Sequence, residues 1–206
     1  TDTLQVNKGT AAGSTDIVIN NAQGVTIQGD IENPSGTTTI TAQTGDITRS
    51  LAQHDLVTAS LTLTATTGIG TGTSDVNRIG AKSQTATNLT LTAGSDIFFT
   101  QASGIANVRK IQSTGGSVNL LATRSIADAS GDDLTADIAG QSITLTATAG
   151  SSDTTSISRV GTSTNPIEID VSTAAGALNV SADDGIYLTE LSGDLSVGQL
   201  LTAAGD

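Results

Sequence analysis

The sequence predicts an all-β protein, a parallel β-solenoid of roughly seven coils with about three short strands in each. Three observations lead there. One five-residue segment recurs along the chain, apolar and polar residues alternate strictly inside it, and the composition is rich in Thr, Ser, Ala and glycine, with 23 glycines and only 1% aromatic residues. That mixture disfavours long helices and suits short strands broken by turns. The core it allows is built from Val, Ile, Leu and Ala, because the chain holds two Phe, one Tyr and no Trp, Met or Cys.

Residues 1–36 read as one or two less regular coils, and residues 37–206 as the repeat proper, all within one solenoid segment of a longer chain or mature product. The recurring segment reads TTITA from Thr38, LTLTA from Leu61 and Leu89, VNLLA from Val118, ITLTA from Ile143 and LNVSA from Leu178, with a mean spacing of 28 residues. In LTLTA, Leu61, Leu63 and Ala65 point one way and Thr62 and Thr64 the other, which makes a strand with one dry face. After most copies comes a Gly- or Asp-bearing turn and an isoleucine, at Ile47, Ile69, Ile97, Ile126 and Ile186. The longest internal match sets Leu89–Thr100 against Leu178–Thr189.

A third strand follows the same rule in Ile167–Val171, with three apolar residues on one face and Glu168 and Asp170 on the other. Val76–Ala81, Val108–Ile111 and Leu134–Ile138 hold comparable places. One such repeat cannot bury its face alone, but stacked copies can, with like strands about 4.8 Å apart and a rod on the order of 35 Å long. The expected interior has two ladders, Leu63, Leu91, Leu120, Leu145 and Val180 in one, and the five turn-following isoleucines in the other. Each buried aliphatic is worth about 1.5–3 kcal/mol. Variation in spacing belongs in edge loops, as at Gly150–Thr155, and Pro34 and Pro166 belong at corners.

The charge excludes whole classes of function. Eight Lys and Arg against 20 Asp and Glu give −12, and the basic residues are scattered, so neither nucleic acid nor an anionic membrane is an expected partner. No stretch has the length of an apolar membrane span. The only histidine, His54, has no second histidine or cysteine with which to build a zinc site or a triad, and it reads as a loop residue.

Asp132–Asp133 and Asp183–Asp184 are paired carboxylates, and Arg109–Lys110 is the only basic doublet. Converging on one face they would suit an enzyme acting on acidic polysaccharides, but Asp beside Gly131 and Gly185 is ordinary turn chemistry. No cofactor is expected: no calcium-binding nonapeptide run occurs, and the Asp-rich turns offer at most weak calcium sites. The Thr62/Thr64, Thr90/Thr92 and Thr144/Thr146 pairs resemble ice-binding arrays, interrupted at Asn119, Leu121, Asn179 and Ser181. Phe98 and Tyr187 occupy equivalent outward places, with Phe99 and Leu188 facing the other way. No residue is assigned a catalytic, cofactor-binding or metal-binding role.

The segments Ile157–Leu195 (ISRVGTSTNPIEIDVSTAAGALNVSADDGIYLTELSGDL) and Ile69–Thr100 resemble the filamentous-haemagglutinin-like large exoproteins and repeat-rich surface adhesins of bacteria. The resemblance implies a right-handed parallel β-helix, exported and displayed at the bacterial cell surface as a stalk or fibre. It implies a non-enzymatic structural and adhesive role, with further repeats, neighbouring copies or a host or neighbouring-cell surface as partners. The alternative is a β-helical protein that binds or cleaves polysaccharide.

Overall fold

In a computed structural model of the chain, residues 4–6, 9–10, 13, 15–131, 134–149, 157–172 and 176–203 are described. They form a parallel β-solenoid of about eight turns, with no α-helix. Every pairing between named strands is parallel. An antiparallel bridge, Thr162 to Asn165, closes a local turn.

One wall is a column of nine aligned positions: Leu4, Val25, Ile47, Ile69, Ile97, Val118, Ile143, Leu178 and Val197. Successive members lie about 24 residues apart on average, and 21 or 22 apart over the first three turns. The opposite wall carries Ile19, Ile40, Leu63, Leu91, Ile111, Ile138 and Ile169 in register. A short third wall runs through Ile31, Leu56, Ala81 and Gln101. Register shifts between Asn33 and Thr37, and between Val57 and Ser60, mark the corner where the chain turns into the second wall, and Pro34 sits in the first of them. A missing N–H is harmless there because pairing is already broken.

The interior is mostly aliphatic; Phe99 is fully buried, as its place beside outward Phe98 predicts, and Asn33, Thr58, Thr87 and Gln101 are buried polar residues near the corners. In Asp55–Ala65 and Ile79–Ala93, Leu61, Leu63, Ala65, Leu89, Leu91 and Ala93 face inward, while the alternating threonines face out or are half-buried.

The composition of the ladders differs from the expectation. Leu63 and Leu91 continue into Ile111, whereas Leu120, Leu145 and Val180 stack on Phe99 in the other wall. Ile47, Ile69 and Ile97 do align, but Ile126 and Ile186 align with Val160 instead. The recurring segment therefore changes wall between Leu89 and Val118. That jump makes the Leu89–Thr100 and Leu178–Thr189 match one between different walls, while the long apparent repeat comes from the intervals of 28 residues from Leu61 to Leu89 and 35 residues from Ile143 to Leu178. A strand with one dry face fits any wall, so alternation leaves the choice open.

Extra residues leave the sheets as excursions. The turn from Ile69 to Ile97 holds a 3₁₀ turn, Asp75–Asn77, in which Val76 is exposed instead of facing the core. Between Ile126–Asp128 and Ile138–Gly140 the chain leaves the wall, and Leu134 is 93% exposed instead of belonging to a strand. The long interval from Ile143 to Leu178 contains Gly150–Thr155, which lies outside the described residues.

Candidate functional site

Among the described residues, a compact group of ionisable side chains lies where the chain, having left the wall after Asp128, rejoins the second wall at Ile138. Ile138 pairs with Ile169, which places Asp137 beside Glu168 on the outer side of the sheet. Alternation leads one to expect Glu168 in solvent, yet it is 1% exposed and Asp137 2%. Asp128, at the start of the excursion, is half-buried as a residue while its Oδ2 is fully covered. Oxygens of these three carboxylates lie within 4.8 Å of one another.

Three buried carboxylates at that separation cannot all be ionised without large cost. Burial pushes the Asp137 carboxyl up to about 8, helped by a hydrogen bond with the Glu168 carboxyl and by the like charges of Asp128 and Glu168, against the pull of the Glu168 N–H, which donates to Asp137 Oδ2 at 3.2 Å. The hydrogen-bonded Asp137–Glu168 pair therefore retains a proton at neutral pH. Hard divalent cations take the same donor type. The grouping escapes sequence reading because its members stand nine and 31 residues apart and meet only through register.

A second charged group lies at the corner of the first and third walls. Arg49 and Asp55 pair at 3.1 Å with side chains 4% and 6% exposed, and Lys82 Nζ reaches the other Asp55 oxygen at 2.8 Å. Gly80 leaves room for this pair, since a Cβ there would stand 2.1 Å from Asp55 Oδ1 and force the two side chains to shift. Arg78, also buried, donates from Nη1 to the carbonyls of Phe99 at 3.0 Å and Asn119 at 3.2 Å, joining three consecutive turns.

Among the described residues, those singled out in the sequence do not converge. Asp183 accepts the Ala149 N–H, Asp184 lies 3.6 Å from Arg159, and Asp132 and Asp133 are outside the described residues. His54 is a loop residue whose Nδ1 lies 3.2 Å from Ser50 Oγ. Tyr187 is exposed and Phe98 half-buried, on separate walls. Thr39, Thr62 and Thr90 align, as do Thr41, Thr64 and Thr92, but the next turn brings Lys110 and Gln112, and Thr144 and Thr146 belong to the other wall.

Arg109 and Lys110 differ from the rest because their strand is bulged. Leu89 pairs with Val108 and Thr90 with Lys110, which leaves Arg109 as an extra residue. Val108 and Ile111 thus both face inward, and both basic side chains stand exposed. They border a cleft of about 380 Å³ with Gln112, Thr135, Ala139 and Asp170.

No helix among the described residues is long and apolar enough to cross a membrane. No family model, curated protein or solved structure matches the chain.

Proposed function

We propose that the chain is a non-enzymatic structural and adhesive rod, a segment of an extracellular bacterial surface fibre that supplies reach, stiffness and repeated display. The observation that carries this reading is the continuous column from Leu4 to Val197, which joins every turn to the next by parallel backbone pairing. Repetition of one small unit costs little sequence information and yields length, and hydrogen bonds directed along the axis resist extension. Carboxylates outnumber cations on the chain, which keeps neighbouring rods soluble.

The strand Val197–Thr202 is exposed along its whole length, with Val197, Leu200 and Leu201 about half exposed. A further coil, from the same chain or a neighbouring copy, would continue the columns on that edge. The role needs no cofactor, and the partners are further repeats and a host or neighbouring-cell surface.

Single-molecule stretching along the axis tests the mechanical part. Turns should peel off in steps of about 80 Å, the extended length of about 24 residues, at forces well above those that unravel a random coil. Featureless extension would overturn the reading. Turnover of acidic polysaccharide by the purified chain, abolished by changing Asp183 or Asp184, would replace it with the enzymatic alternative.

A further inference from the structure

The cleft beside the Arg109 bulge combines features that a structural rod does not require. A regular strand through Val108–Ile111 would bury one of the two basic residues, whereas the bulge turns both to solvent at one rim of the cleft. Bulges commonly re-aim side chains beside functional sites. Among the described residues neither cation is in an ion pair, although the chain carries more than two acids for every base. Gln112 follows two residues along the same strand, and its pairing with Ala139, which pairs in turn with Asp170, sets Asp170 two strands away with the Ala139 methyl between them.

We infer that this cleft binds a carboxylate-bearing saccharide, a uronic acid residue within a glycan. The Arg109 fork and Lys110 ammonium would take the ligand carboxylate, with Arg109 able to do so through two parallel hydrogen bonds. Asp170 and Gln112 would accept from and donate to ring hydroxyls, and the Ala139 methyl would meet a C–H face of the ring. The volume of about 380 Å³ lies in the range of small-ligand sites, which starts near about 300 Å³. Asp137 pairs alongside Lys110's strand and Glu168 alongside Asp137, both buried beneath the same outer face, whereas Arg109 and Lys110 stand exposed on it. The assignment deepens the adhesive reading by naming what the rod would hold.

Calorimetric titration of the whole chain with a uronic acid trisaccharide, a neutral trisaccharide of equal length and a sulfated trisaccharide tests the site apart from stiffness or display. The uronic acid ligand should bind saturably and one to one, and the double change Arg109→Ala and Lys110→Ala should weaken it at least about tenfold with an unaltered melting temperature. Lys82→Ala, which removes a cation from another cleft, should leave it unchanged. Asp170→Asn should also weaken binding, because the carboxylate accepts hydroxyls. Absence of saturable uronate binding, or equal affinity in the double variant, would overturn the site. Tighter binding of the sulfated ligand, equal binding of the neutral one, or a gain from Asp170→Asn would overturn the ligand class.

Discussion

At the scale of the residue, the aspartates of the turns do more than turn the chain. Asp30 Oδ1 accepts the N–H of Asp55 at 3.0 Å, Asp46 Oδ1 that of Gly68 at 2.7 Å, and Asp96 Oδ1 that of Ser117 at 2.7 Å. In each case a carboxylate of one turn holds a backbone donor of the next at a corner between strands, so these three acids are built into the joints. Asp96→Ala should destabilise the fold by about 1.5–3 kcal/mol, the worth of a hydrogen bond to a charged group, read as a drop in denaturation midpoint. Asp96→Asn should cost less, because the amide oxygen still accepts. Equal stability of wild type and Asp96→Ala would show that these joints contribute nothing.

The acidic trio is a property of elements, since it forms where Ile138–Gly140 comes into register with Ile167–Val171 and the end of the strand Ile126–Asp128 lies close to them. It gives the fold a pH dependence of definite sign. In the unfolded chain Asp137 titrates near the ordinary aspartate value, and in the folded chain near 8, so between those two pH values the folded state binds the extra proton. Stability is then greatest below the unfolded value and declines as pH rises toward about 8. The melting temperature should fall by at least several degrees, at about 2–4 °C per kcal/mol for a chain of this size, between pH 5 and pH 9. Asp137→Asn should abolish most of that decline. A melting temperature that rises over this range would contradict the assignment.

At the scale of the whole molecule each turn leans on those above and below it, so damage to one spreads. Leu91 lies between Leu63 and Ile111 in the second wall and is fully buried. Leu91→Asp puts a charge into that column and should cost more than about 4 kcal/mol, with several turns losing protection from proteolysis together. Thr92→Asp, one residue along and half-buried on the outer side, should cost no more than about 1 kcal/mol. Equal melting temperatures for the two variants would reject the face assignment.

The parallel solenoid, the small-residue aliphatic core and the inward set Leu61, Leu63, Ala65, Leu89 and Leu91 were legible in the residues. Alternation is a local rule with a period of two, and a stack is the only way such narrow faces are all covered. Which segment stacks on which was decided only in three dimensions. LTLTA at Leu89 and VNLLA at Val118 satisfy the same local rule, yet they belong to opposite walls because the chain length between corners, set by the excursions and the bulge at Arg109, fixes their register. The same register, invisible to any short window of sequence, gathers Asp128, Asp137 and Glu168 and opens the cleft beside Lys110.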